Sequence, residues 1–145
     1  MTDMTVKTPW HLWVVGIGAV LWNSIGCTDY TLTQTWQAEW FAMTGITEAQ
    51  LAYFNATPTW MHGAWAIGVW GGLLGAVLLL LRKKLAMPVF VVSFLGWLAG
   101  AVYAFALSDG MAAMGSMWPV QILIGGACLF FIWYAWTMEK KGVLR

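Results

Sequence analysis

From Thr57 to Lys84 the chain reads TPTWMHGAWAIGVWGGLLGAVLLLLRKK. Between Trp60 and Leu81 there is no charge, and His62 is the one strongly polar side chain. A helix of about 20 apolar residues spans the ~30 Å hydrocarbon core of a bilayer. Thr57 is a suitable N-cap, and Pro58 suits the first helical position, where its missing N–H costs nothing. The stretch therefore reads as a transmembrane helix over 58–81, stopped by Arg82, Lys83 and Lys84.

Gly68 and Gly72 form one GxxxG pair, Gly71 and Gly75 a second, and Ala64 extends the stripe by a turn. On a helical wheel these five lie within about 100°, with Trp70 opposite. Lipid tails are as apolar as leucine, so membrane helices associate by close packing, which small residues permit. Membrane helices are glycine-rich in general. Two interlocked pairs on one face nevertheless predict a neighbouring helix there, from this chain or from another protein.

The remaining composition agrees with a membrane location. The 145 residues are 61% hydrophobic and 9% charged, against about 25% charged in an ordinary soluble domain. No basic run points to nucleic acid. Cys27 and Cys128 fall in different predicted helices at different depths, so neither a disulfide nor a metal site is expected.

Three more apolar segments surround the first. One runs over 10–27, with Gly16, Val20, Asn23, Cys27 and Tyr30 on one inward stripe. A short polar start with Lys7 before it also fits a signal peptide; the segment is read as a retained transmembrane helix. Another runs over 88–107, where Ser93, Gly96, Gly100 and Ala104 make a second small-residue face. The last runs over 118–138, with Gln121, Gly125, Cys128, Ile132 and Ala135 in step; 111–117 before it reads as a short loop or half-turn. The connection 28–56 is the longest. Leu32, Trp36 and Trp40 are spaced by four, predicting an extension of the first helix or a helix on the membrane surface. Gly45 interrupts that pattern, and Thr47 with Gln50 predicts a capping box opening a short helix through about Phe54.

Charge placement sets the orientation. All seven basic residues, Lys7, Arg82, Lys83, Lys84, Lys140, Lys141 and Arg145, fall on one side of the four spans. The opposite connections carry only Asp29, Glu39, Glu48 and Asp109. Positive charge favours the cytoplasmic side. The expected fold is all-α: a polytopic, four-transmembrane antiparallel helix bundle, with cytoplasmic termini and a Trp-rich outer connection between helices 1 and 2.

Chemistry is sparse. No GxSxG, HExxH, CxxC or phosphate-loop motif occurs, and no acidic or basic residue lies inside a span, so neither catalysis nor a proton relay is expected. His11 and His62 belong to opposite sides of the membrane and cannot ligate one haem iron. Asn23, Asp29, His62, Tyr103 and Gln121 all fall in the outer half or at its edge. They line an outward pocket for a polar solute or lipid headgroup, or they hydrogen-bond between helices and hold the register. Trp10, Trp13, Trp60, Trp118, Trp133 and Trp136 lie near span ends as an aromatic belt. Trp22, Trp70 and Trp97 are deeper, suited to stacking on a pigment, quinone or sterol, or to filling space and facing lipid.

Several stretches carry a resemblance: Trp10-His11-Leu12-Trp13, Leu21-Trp22-Asn23, Asp29-Tyr30, Thr33-Gln34-Thr35, Gly68-Val69-Trp70-Gly71-Gly72 and Gly142-Val143-Leu144-Arg145. Across most of its length the chain resembles a family of small bacterial four-helix inner-membrane proteins of unknown function, sometimes labelled sugar transporters. The resemblance implies topology and a bacterial inner membrane, and no site residues. Three functional expectations follow. The first is a non-enzymatic accessory subunit of a larger membrane complex or a homo-oligomer, packing through Gly68, Gly71, Gly72, Gly75, Gly96 and Gly100. The second is a small-solute transporter or binding protein using the outer polar residues. The third is a helper holding a quinone, a haem between subunits or a pigment, although no motif requires a cofactor.

Overall fold

In a computed structural model residues 6–145 are described, and Asp3 falls outside them. The fold is all-helical: α1 (Trp10–Thr35), α2 (Gln37–Thr44), α3 (Glu48–Ala56), α4 (Thr59–Leu80), α5 (Ala86–Val102), α6 (Gly110–Met114) and α7 (Trp118–Lys140). A π-helical turn, Tyr103–Leu107, prolongs α5, and a 3₁₀ turn, Gly115–Met117, leads from α6 into α7. Four helical segments are long and apolar enough to cross a membrane: Trp10–Thr35, Thr59–Leu80, Ala86–Leu107 and Gly110–Lys140.

Several boundaries differ from the sequence expectation. The first helix does not stop near Cys27 but continues to Thr35. Nothing between 28 and 35 breaks it, and the hydroxyls of Thr28, Thr31 and Thr35 each donate to the carbonyl four residues back. Trp36, at φ −126°, makes the bend into α2. Thr57 is not the N-cap of α4. It closes α3, its hydroxyl donating to Tyr53 O at 2.8 Å, and Pro58 becomes the N-cap, where it needs no N–H. The segment 111–117, expected as a short loop or half-turn, is made of the short helix α6 and a 3₁₀ turn.

The α2–α3 hairpin has local causes. Gly45 sits at φ 68°, the left-handed conformation that ends α2. Thr47 then opens α3 with a reciprocal capping box. The Gln50 N–H donates to Thr47 Oγ1 at 3.2 Å, and the Thr47 N–H donates to Gln50 Oε1 at 2.9 Å. Thr47→Ala should cost the hairpin about 1 kcal/mol. Faster amide exchange over 48–56, with exchange in α4 unchanged, is the expected reading.

The long helices pack in the order α1, α4, α5, α7. Gly16 lies against Leu80, Gly26 against Val69, and Gln34 reaches His62, so residue numbers rise along α1 as they fall along α4. The same holds for α4 and α5, where Gly75 faces Phe90, Gly71 faces Ser93 and Gly100 faces Met61. Trp97 of α5 covers Gly125 of α7. The glycine stripe of α4 therefore meets α5 and α1 of the same chain. At Gly96 the approach is backbone to backbone: an added Cβ would stand 2.7 Å from Ala64 O and 2.8 Å from the Gly68 nitrogen. Ser93 fills the neighbouring notch, its hydroxyl donating to Gly68 O.

The tightest core lies at the end that carries the basic residues. Leu12, Leu79, Phe90, Ala135 and Met138 are buried together there with Val143 and Leu144 of the C-terminal tail. Two matched helix ends hold the tail. After α7, Gly142 at φ 73° sends its N–H to Glu139 O, and the Val143 N–H reaches Met138 O. After α4, Arg82 takes the same left-handed turn at φ 58°, with its N–H on Leu79 O and the Lys83 N–H on Leu78 O. This paired pattern satisfies the last carbonyls of each helix. The two turns are then joined: the Lys84 N–H donates to Arg145 O at 3.1 Å and the Arg145 N–H to Arg82 O at 2.8 Å. The Arg82 guanidinium finishes the clasp on Val143 O and, at 2.6 Å, on Thr8 Oγ1.

Candidate functional site at the acidic end

The opposite end gathers Asp29, Glu39, Glu48 and Asp109 around the α2–α3 hairpin. The five polar residues singled out in the sequence do not converge on one point. Asn23 is in the seam of α1, α4 and α5. Its amide N–H donates to Ala19 O at 2.8 Å, and its oxygen occupies the space a side chain at Gly72 would need. Gln121 is in the seam of α5 and α7, accepting from the Trp97 indole at 3.3 Å. Asp29 accepts from the Trp40 indole at 2.8 Å, which ties α2 to α1. His62 pairs with Gln34 at 3.0 Å and meets the Phe54 ring edge-on at 5.0 Å, which ties α4 to α1 and α3. Gln121, Asp29 and His62 thus hydrogen-bond between helices, whereas Asn23 bonds back within α1 and packs against Gly72 of α4.

Tyr103, by contrast, lines an open groove of about 470 Å³ between α3 and α6. Tyr53, Ser108 and Asp109 supply the other polar groups, and alanines of α3 and α6 complete the walls. The π-helical turn builds the floor. Ser108 Oγ donates to Tyr103 O at 2.8 Å, closing the turn, and lies 3.1 Å from the Tyr53 hydroxyl. The rings of Tyr53 and Trp60 stand 6.2 Å and 5.7 Å from Tyr103. Gly110 is required beneath them, because a Cβ there would come within 2.7 Å of the Tyr53 hydroxyl and 2.8 Å of Ala104 O. π turns inside helices are frequent at functional sites.

Burial pushes the Tyr53 phenol above its ordinary value, with Tyr103 adding to the shift and the Ser108 hydrogen bond opposing it. The phenol is therefore protonated at neutral pH, a hydrogen-bonding group rather than a base. The groove offers hydroxyls, aromatic faces and one exposed carboxylate, Asp109. Such a set can orient a polar solute through hydrogen bonds and ring contacts.

Sequence reading missed Tyr53, Ser108 and Asp109 as partners of Tyr103. Ser108-Asp109-Gly110 reads as a helix stop, and Tyr53 lies some fifty residues upstream with no periodic link to it. The available signal was the run of turn-forming residues directly after a tyrosine-bearing helix. A second groove, of about 600 Å³, lies between α2 and α3, with Phe41, Ile46 and Leu51 on its walls. Gln37 donates across it to Asn55 Oδ1 at 3.2 Å.

The histidines occupy opposite ends of the α1–α4 pair. His11, in the first turn of α1, hydrogen-bonds with the Tyr134 hydroxyl, whereas His62 is in the first turn of α4. They cannot share an iron within one chain. Among the described residues no group of three or more His, Cys, Asp or Glu is placed to hold a metal. Cys27 and Cys128 are both free thiols. Trp22 and Trp70 face outward, and Trp97 is spent on Gly125 and Gln121. Compared with protein-family models, curated proteins and solved structures, the chain finds no match.

Proposed function

We propose that the protein is a non-enzymatic integral protein of a bacterial inner membrane. Its four spans form an antiparallel bundle with both termini cytoplasmic, and it binds a small polar solute at its outer face. The observation that carries this reading is the groove at Tyr103. It puts three hydroxyls, a carboxylate and aromatic faces in one concavity on the end read as outward-facing. The non-catalytic reading is supported by the make-up of the groove, which holds no imidazole or thiol, with His62 paired to Gln34 and absent from its lining.

Melting of the purified protein against a panel of monosaccharides, disaccharides and small organic ammonium compounds tests the binding. At least one compound is expected to raise the melting temperature, since a ligand at 100 times its Kd adds about 2.7 kcal/mol to the folded state. Asp109→Asn and Tyr103→Ala should abolish that shift, while Asn23→Ala leaves the ligand-induced shift in place. A panel without effect, or a shift that survives both groove variants, contradicts the reading. A C-terminal reporter that is active only in the cytoplasm checks the orientation.

The assembly reading keeps separate support. Gly18 of α1 and Gly126 of α7 have open space where a Cβ would stand. They lie on faces with exposed Val14, Leu21 and Ile25, and with exposed Ile122, Leu129 and Phe130. These faces, rather than the occupied stripes of α4 and α5, are where another subunit or a second copy would pack. The mass of the intact particle in mild detergent decides it. Foreign subunits or copies that dissociate on Gly126→Leu support this reading, and a bare monomer removes it.

A further inference from the structure

We infer that the basic end carries a binding site for the phosphate headgroups of anionic phospholipids, an inference that rests on the membrane reading above. The cations come from three separate stretches of chain, and the clasp brings them together. Arg82 draws in the N-terminal segment at Thr8, beside Lys7. The Arg82–Arg145 and Lys84–Arg145 backbone bonds join the α4–α5 turn to the tail. Lys140 and Lys141 close α7 at the same place. Arg82 is half-buried and spent on Val143 and Thr8, so it is the positioning residue. Lys7, Lys83, Lys84, Lys140, Lys141 and Arg145 are all exposed. Glu139 is the acidic residue beside them among the described residues, so this end is strongly cationic.

Its setting fits a lipid rather than a soluble anion. Lys140 Nζ lies 3.8 Å over the Trp136 ring, so the ammonium is held level with an exposed aromatic belt that includes Trp10 and Trp133. Exposed Leu81 and Leu85 flank the basic triplet. Cations poised just above apolar surface meet a headgroup while the acyl chains cover the leucines below. A free phosphate would use the charge alone.

Native mass spectrometry of the full chain, offered equal phosphatidylglycerol and phosphatidylcholine, tests this. Phosphatidylglycerol should be retained with a preference of about tenfold or more. Replacing Lys83, Lys84, Lys140 and Lys141 together by Gln should erase the preference at an unchanged melting temperature, and replacing them by Arg should keep it. High salt should weaken it, because exposed charges are screened. Millimolar inorganic phosphate should not displace the lipid. Equal retention of the two lipids overturns the inference, as does a preference that survives the Gln variant or displacement by phosphate. Release of the protein from membranes by alkaline carbonate without detergent would instead overturn the membrane reading itself.

Discussion

Gly96→Ala is expected to destabilise the bundle by about 2 kcal/mol, and Gly96→Leu to prevent α4 and α5 from packing. The reason is the identity of the atoms in the way. A methyl at 96 meets Ala64 O at 2.7 Å and the Gly68 nitrogen at 2.8 Å, and both belong to helix backbone. A side chain could turn aside; a helix backbone yields only if the whole helix moves, and α4 is held on its other side by α1. Glycine's helix-propensity deficit against alanine, about 1 kcal/mol, works in the opposite direction and is outweighed. Two comparison variants isolate the effect. At Gly68 the added carbon would sit 3.6 Å from the Trp97 nitrogen, an ordinary contact, so Gly68→Ala should be close to neutral. At Gly126 nothing lies within 4 Å, so Gly126→Ala should be neutral or stabilising by up to about 1 kcal/mol. Reversible unfolding in mixed micelles, with all three variants side by side, reads the ranking. Equal losses at 68 and 96 would refute the backbone-contact argument.

Leu144→Ala should cost about 3 kcal/mol, and Leu144→Asp more, since an unpaired carboxylate would be buried. Leu144 is 1% exposed and Val143 2%, in the same core as Leu12, Leu79 and Met138. Leu144, the neighbour of Arg145, is thus as deeply buried as any residue in the long helices. Arg82→Ala attacks the same clasp from the other side. It removes the guanidinium bonds to Val143 O and Thr8 Oγ1, worth about 1.5–3 kcal/mol for a charged donor. Arg82→Gly would relieve a left-handed non-glycine backbone, about 1–2 kcal/mol, and should therefore cost less than Arg82→Ala. Because both substitutions loosen one unit, Leu144→Ala combined with Arg82→Ala should lose less than the sum of the two. Strict additivity in the unfolding free energies would show that the tail and the turn are independent. Protease sensitivity of the tail supplies a second reading and should rise in each single variant.

Much of this architecture is written in the sequence, because membrane-length apolar runs and their breakers are local signals. Four apolar helical segments, the inward stripe of Gly16, Asn23 and Cys27, the outward Trp70 and the Thr47–Gln50 capping box all follow from spacing of 3.6 residues per turn and from side-chain chemistry a few residues away. The extent of α1 was less legible. Three threonines in a weakly apolar stretch read equally as connection or helix, and their back-bonding to the preceding turn is visible only once the helix exists.

Tertiary structure decided what depends on pairing distant segments. Sequence shows that Gly71, Gly72 and Gly75 form a stripe; only the packing shows that Ser93, Asn23 and Phe90 of this chain fill it. Sequence presents Arg82 as one cation among seven; its left-handed turn and its bonds to Val143 and Thr8 make it the centre of a clasp. Tyr103 was legible as a polar residue at a helix end, but its groove needed Tyr53 and Ser108, brought together by the α2–α3 hairpin and a π turn. Helix existence and face are fixed by neighbours along the chain, whereas partners across it depend on which helices touch, and local periodicity carries no record of that.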